Sequence, residues 1–332
     1  GSTAPSSPTA SRRAWIEAGS FLRGQRRSFT ARPYRGAASR TDRFCLVTAT
    51  LMDGAALGAR IRGEVAKEVE TLGDLGLATV LVGDDPASQI YIRRKHEAAA
   101  EVGIQARDIR LPASTAEDEL LARVAALNAD ESIHGLLVQL PLPPQIDEAT
   151  VIRAIDPRKD VDGLHPLNAG QLFLGQPAHV GATPLGIMEL LAEYRVPITG
   201  ARAVVVGRSA IVGKPVAMLL LQANATVTIC HSRTAELERH ALDADILVVA
   251  VGVASVVAAD MVMQGAAVVD VGMNRTDAGL VGDVDPGAAE VAGLITPVPG
   301  GVGPMTIALL LRNTVRAARY LRGDLAFPLN WR

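Results

Sequence analysis

The chain has 332 residues, 48% hydrophobic and 20% charged, a globular composition with room for two domains of ordinary size. Its formal net charge of -2 offers no general attraction to nucleic acid or to an anionic membrane, so neither is expected as a partner. Two cysteines, Cys45 and Cys230, cannot make a disulfide framework, which fits a reducing compartment and an expectation of cytoplasmic location.

Residues 1–43 are rich in Arg, Ser and Ala, with Glu17 and Asp42 as the only acids. Such a segment buries too little apolar surface to repay its ordering entropy. Residues 1–50 are therefore expected to be a disordered basic tail. The same composition also suits an organellar transit peptide or a basic interaction arm.

From Met52 onward helical and strand patterns alternate. Asp53 is placed to cap a helix reaching about residue 72, with Leu57, Ile61, Val65 and Val69 on one face. Residues 77–82 read as a strand, stopped by Gly83-Asp84-Asp85-Pro86. A helix over about 87–102, closed by Gly103, and a strand over 134–140 follow. A second series predicts a helix at 184–195, strands at 202–206, 225–230, 245–251 and 266–271, and a helix at 213–223. The apolar run 246–259 is too short to span a bilayer and reads as a buried strand with its loop. A last long helix at about 304–321 carries one apolar face. Continuous apolar strands between helices predict parallel sheets covered on both faces.

Val204-Val205-Val206-Gly207-Arg208-Ser209-Ala210-Ile211-Val212-Gly213 has the form strand, tight turn, helix start. That context places a pyrophosphate at a helix N-terminus, although Ser209 departs from the G-x-G-x-x-G pattern and a plain strand-to-helix turn has the same form. The next strand ends Cys230-His231-Ser232-Arg233 with no carboxylate for a ribose 2′-hydroxyl. Arg208 and Ser232 would suit a 2′-phosphate, so NADP is expected rather than NAD.

Ser88, Tyr91 and Lys95 stand at i, i+3 and i+7 on one helix face. Buried, Lys95 would serve as a general acid or base; the same spacing fits a solvent-facing lysine. Gln139 ends a strand where ligands of α/β sheets gather, and Asp160-Val161-Asp162-Gly163 forms a polar loop. Thr296-Pro297-Val298-Pro299-Gly300-Gly301-Val302-Gly303-Pro304 is a rigid loop with exposed backbone, suited to a planar ligand. His134, His165, His179 and His231 show no metal-ligand spacing, and no metal is expected.

These blocks, with Val138-Gln139-Leu140-Pro141, Lys159-Asp160-Val161-Asp162-Gly163 and Met305-Thr306, resemble the methylenetetrahydrofolate dehydrogenase/methenyltetrahydrofolate cyclohydrolase family over about residues 52–322. The resemblance implies an α/β protein of two domains. A folate-binding catalytic domain would comprise residues 51–181 with the C-terminal helix 304–323. A Rossmann-like NADP-binding domain would comprise 182–303, with a cleft between the two. It implies Lys95 as the cyclohydrolase acid/base, tuned by Gln139, with Tyr91 stacked on the folate and Asp162 on the pterin's amino edge. Ser88, Pro299, Gly300 and Gly301 would meet the reduced folate. Gly207, Arg208, Ser209, Gly213, Ser232 and Thr183 would meet NADP, and the chain would form a homodimer through the nucleotide domain. Two departures stand out: Gly181-Ala182-Thr183-Pro184 where the family commonly has Pro-Cys-Thr-Pro, and Leu164 where an aromatic residue usually follows Asp162-Gly163. A shikimate-type NADP dehydrogenase, a non-catalytic folate binder and a dehydrogenase lacking the hydrolase remain the competing readings.

Overall fold

The structure, a computed structural model, describes residues 48–277 and 279–328. Most of the basic tail expected at the N-terminus lies outside these residues.

The first sheet has three parallel strands in the order β3-β2-β4, formed by Ile104–Leu111, Leu75–Val82 and Gly135–Val138. β2 is buried along all eight residues because helices cover both faces and strands flank both edges. Helix α1, Gly54–Leu72, begins where Asp53 accepts a hydrogen bond from Ala56 N at 2.9 Å. It buries Leu57, Ile61, Val65 and Val69, the face expected from their spacing. Helix α2, Pro86–Glu101, starts with Pro86 in the first turn and the Asp85 carboxylate accepting from Ser88 N at 2.8 Å. Gly103, at φ 82°, lies just beyond its end.

Residues 104–129, for which the sequence pattern gave no element, form β3 and helix α3, Glu117–Ala129. β3 is an edge strand carrying Gln105, Arg107, Asp108 and Arg110, so it lacks the apolar run that marks its neighbours. The short helices α4, Glu148–Ala154, and α5, Pro166–Phe173, were equally unmarked.

Helix α6, Ala182–Glu193, leads into the second sheet, whose six strands are all parallel. The strands are β1, Thr50–Leu51; β5, Arg202–Val206; β6, Thr226–Cys230; β7, Ile246–Val249; β8, Ala267–Asp270; and β11, Leu294–Ile295. Helix α7, Gly213–Gln222, joins β5 to β6, and helix α8, Leu237–Leu242, joins β6 to β7. A short antiparallel hairpin, β9 (Asn274–Thr276) and β10 (Gly279–Val281), follows β8.

The strand order is β1-β11-β8-β7-β5-β6. The chain leaves β5 toward β6 and then crosses back to β7, so β5 and β7 flank a topological switch point. β1 corrects the expected domain limits: it pairs with β11, so a boundary at residue 51 cuts a strand of the second sheet. Strands expected at 134–140 and 245–251 are shorter, Gly135–Val138 and Ile246–Val249.

The last helix, α9, Val302–Arg322, packs against both α1 and α6. Arg319 reaches Glu68 of α1 at 2.7 Å, and Arg312 reaches Glu189 of α6 at 2.6 Å. Asn313, 2% exposed, donates to Val161 O and Val180 O, tying the helix to the loop before α5 and to the segment before α6. No helix among the described residues is long and apolar enough to cross a membrane.

Candidate active site

Lys95 lies on α2 and is only 5% exposed. Its Nζ donates to Gln139 Oε1 at 3.2 Å and sits 5.1 Å from the Tyr91 ring centroid. The Gln139 amide has a fixed sense, because its Nε2 donates to Leu140 O at 3.0 Å and leaves the oxygen for Lys95. Gln139 is placed by the ladder just beyond β4, where its backbone N donates to Val80 O. Burial lowers the Lys95 pKa, and the Asp162 carboxylate opposes that shift. Burial raises the Asp162 pKa; the Lys95 ammonium opposes the rise and Asp160 adds to it.

The loop carrying Asp162 is held by two charged neighbours that sequence reasoning assigned no role. Lys159, 3% exposed, donates its Nζ to Leu127 O, Asn128 O and Asp130 O at the end of α3. Asp160, 2% exposed, accepts from His165 N and Asn168 Nδ2, both at 2.8 Å. The three charges of Lys159-Asp160-Val161-Asp162 thus have separate tasks: anchor, loop brace and site carboxylate. Gly163, at φ 64°, completes the turn where a Cβ would stand 2.8 Å from Val180 Cα.

Tyr91 is half-buried. Burial raises its pKa, while a hydrogen bond with Thr306 lowers it. Thr306, in the first turns of α9, also shares a 2.8 Å hydrogen bond with Thr183. Thr183, expected among the cofactor contacts, is joined to the Tyr91 side through Thr306. Thr306 belongs to the Met305-Thr306 block, and only the packing of α9 against α6 reveals its partners. Ser88, 9% exposed, stands on the same helix face one turn before Tyr91.

A cleft of about 270 Å³ runs between α1 and α2 on one side and the ends of β8 and β11 on the other. Tyr91, Arg62 and Arg94 line the first wall; Met273, Pro299 and Gly300 line the second, with Gly301 beside them. Lys95, Gln139 and Asp162 do not line this cavity directly. Tyr91 borders it and carries the Lys95 ammonium over its ring, so this ring connects the cluster to the cavity. Gly300, at φ 111°, bends the loop where a side chain would be strained.

The turn after β5 lies at the switch point. A Cβ on Gly207, at φ 127°, would collide with Ala250 O beyond β7, so the two strand ends are in backbone contact there. A Cβ on Gly213 would collide with Gly207 O, so α7 begins directly against the turn. Ser209 Oγ accepts from Val212 N at 3.1 Å and Gly213 N at 3.3 Å, so its hydroxyl already caps the first amides of α7. Val206 is in register with Cys230, which sets Arg208 and Ser232 at matching positions past their strands, both exposed. No carboxylate occurs in residues 230–235. A helix start in contact with a glycine turn at the switch point, flanked by an exposed guanidinium, fits a phosphorylated dinucleotide. Among the described residues no group of His, Cys, Asp and Glu is arranged to hold a metal ion.

Gly181 is close to both halves: a Cβ there would stand 3.1 Å from Asp162 O and 3.3 Å from Ile211 O. The loop bearing Asp162 and the nucleotide turn therefore approach each other at this glycine.

A Rossmann-like parallel sheet, a second α/β unit and a buried lysine–glutamine pair beside their cleft define a two-domain, nucleotide-binding class of enzyme. Comparisons with known proteins specify it further. Residues 52–162 match the model of the tetrahydrofolate dehydrogenase/cyclohydrolase catalytic domain, and residues 181–322 match that of the NAD(P)-binding domain of the same family. The chain belongs to this tetrahydrofolate dehydrogenase/cyclohydrolase family. The bifunctional protein FolD of Paraburkholderia xenovorans is 56% identical over 278 residues, 82% of this chain and 97% of that protein. The solved structure of the bifunctional enzyme FolD from Campylobacter jejuni is 46% identical, with a TM-score of 0.81 over 82% of this chain and 99% of that one. The Trypanosoma brucei FolD structure, complexed with NADP cofactor and inhibitor, is 40% identical with a TM-score of 0.79, covering 84% and 99%. The second family match includes α9, whereas the structure packs that helix against α1 as well as α6.

Proposed function

We propose that this chain is a bifunctional enzyme that oxidises 5,10-methylenetetrahydrofolate to 5,10-methenyltetrahydrofolate with NADP and hydrolyses the product to 10-formyltetrahydrofolate. The observation that carries the reading is the buried Lys95 bonded to Gln139, with Tyr91 against it and the charge of Asp162 acting on it.

The residues divide the work. Tyr91 stacks against the reduced folate and Ser88 borders it. Asp162 accepts from the pterin's amino edge. Pro299, Gly300 and Gly301 supply a rigid wall on the opposite side, so that the one-carbon unit is aligned before reaction. Gly207, Gly213 and the α7 amides hold the pyrophosphate, with Ser209 yielding some of its capping bonds. Arg208 and Ser232 take the 2′-phosphate. NADP, when bound, supplies the hydride acceptor.

Hydrolysis uses the chain's own groups. Water adds to the methenyl carbon, and neutral Lys95 Nζ accepts a proton from it. The carbon–N5 bond then breaks: Lys95 returns its proton to the departing N5, and the hydroxyl on the former methenyl carbon releases its own proton to solvent as the N10-formyl carbonyl forms, so one proton is released overall. Burial keeps Lys95 ready to be neutral, and the cationic substrate favours that state further. Gln139 holds Nζ in place during both transfers.

The test is a spectrophotometric assay with methylenetetrahydrofolate, comparing NADP with NAD and following decay of the methenyl product. Reduction of NADP followed by methenyl decay supports both activities. Stable methenyl product removes the hydrolase, and absence of dinucleotide reduction removes the dehydrogenase.

We also propose a homodimer built on β6. Among the described residues this edge strand pairs on one side only, and Phe173, Leu174 and Leu221 are 74%, 67% and 53% exposed beside the α5–α7 contact. Gln222 Nε2 donates to Leu172 O and joins these surfaces. Phe173→Glu is expected to convert a dimer to a monomer in sedimentation equilibrium; a monomeric wild-type protein would remove the proposal.

A further inference from the structure

Two buried carboxylates outside the reaction support the second wall of the cleft, which Asp270 itself helps to line. Asp270 ends β8 and is 4% exposed; Asp283 follows the β9–β10 hairpin and is 0% exposed. Both carboxylates accept hydrogen bonds from N–H groups. Asp270 Oδ1 accepts from Gly272 N at 3.0 Å and Asp283 N at 2.9 Å, and its Oδ2 from Val284 N at 3.0 Å. Asp283 Oδ2 accepts from Val251 N at 2.7 Å and Gly252 N at 2.9 Å, and its Oδ1 from Asn274 Nδ2 at 2.9 Å.

The donors identify what is held. Val251 and Gly252 begin the loop after β7, beside Ala250, whose carbonyl meets Gly207 of the nucleotide turn. Gly272 begins the loop after β8, and Met273 beside it lines the cleft. Asp283 therefore ties the β7 loop to the hairpin, and Asp270 ties the hairpin's return to the cleft wall. A Cβ at Gly272 would overlap the Asp283 carboxylate, and one at Gly282 would overlap that of Asp270, so the clamp leaves no space for side chains. Both loops leave the carboxyl edge of the sheet on the side of the switch point opposite β6. A dinucleotide whose adenosine end lies toward β6 presents its nicotinamide end to these loops.

We infer that Asp270 and Asp283 are positioning residues for dinucleotide binding, a carboxylate clamp that shapes the loops after β7 and β8 for the nicotinamide half of the cofactor. This rests on the nucleotide site proposed above. Apolar replacement would leave buried N–H groups without acceptors, and an amide would present its own NH₂ to one of them.

The experiment is Asp283→Asn in the full chain, read in three ways: NADP affinity by titration calorimetry, dehydrogenase KM for NADP, and methenyl hydrolysis without dinucleotide. NADP Kd and KM are expected to rise about tenfold through loss of charge-assisted bonds. Hydrolysis is expected to stay within about twofold of wild type, because Asp283 touches none of its groups. Asn274→Ala removes one donor to the clamp and is expected to give a smaller rise of the same sign; it decides the matter if Asp283→Asn does not fold. Unchanged NADP affinity in the folded variants overturns the inference. A proportional fall in binding and hydrolysis overturns it too, since that marks general structural damage. A wild-type chain that binds neither NADP nor NAD removes the nucleotide reading beneath it.

Discussion

Lys95 Nζ and Gln139 Oε1, 44 residues apart in the chain, share a 3.2 Å hydrogen bond beside the cleft. One residue comes from a helix face and the other from the end of a strand; β2 and its packing bring them together. Lys95→Ala is expected to lower methenyl hydrolysis by about 10²–10⁴-fold, the usual value of a positioned acid/base. Its NADP affinity is expected to match wild type, because the second sheet holds the dinucleotide. Stopped-flow absorbance of the methenyl product measures the first, calorimetry the second. Hydrolysis at wild-type rate in this variant would remove Lys95 from the mechanism.

The pH profile tests the electrostatic partnership. Lys95 must lose its proton to accept one from water, so the hydrolysis rate rises with pH through its pKa. Asp162 holds that pKa up against burial. Asp162→Asn removes the charge, so the rising limb of kcat is expected to move to lower pH. Gln139→Glu adds a carboxylate beside Nζ and is expected to move it higher. A limb that stays in place in both variants, measured at saturating substrate, would separate it from Lys95.

His179 provides a stability prediction away from the chemistry. It is 1% exposed, and burial pushes its pKa down to about 3 while its Nε2 bonds to Arg158 O. Between the ordinary histidine value of 6.5 and about 3, the unfolded chain binds a proton that the folded chain does not. Its contribution to stability is therefore complete above about pH 6.5 and declines as pH falls toward 3. Urea midpoints at pH 7 and pH 5 should differ less for His179→Gln than for wild type. An equal or larger difference in the variant would contradict this.

Gly213 offers a test of the nucleotide turn. Its missing Cβ lets α7 begin against Gly207. Gly213→Ala must push the turn away from the helix, and NADP Kd is expected to rise at least about tenfold, while hydrolysis persists. Dinucleotide titration and the methenyl decay assay on one preparation give both readings. Normal NADP affinity would show that the turn does not carry the pyrophosphate.

Much of the fold was legible because buried parallel strands are written as short apolar runs between capped helices. β5, β7 and β8 are such runs, and Asp53 and Asp85 cap the helices they precede. β3 was not legible, since an edge strand with one solvated side keeps Gln105, Arg107 and Arg110. β1 was hidden for another reason: two residues are too few to show a period, and their partner β11 lies over 240 residues later.

The sequence alone determined the local chemistry: which residues turn, cap and carry charge, and the order of the motifs that mark the family. Those properties depend on near neighbours and on side-chain type. The tertiary structure alone decided that Lys95 is buried, that Thr183 meets Thr306, that Asp160 bonds His165 and Asn168, and that Asp270 and Asp283 clamp two loops. Burial and hydrogen-bond partnership belong to segments distant in the chain, so no short stretch of residues encodes them.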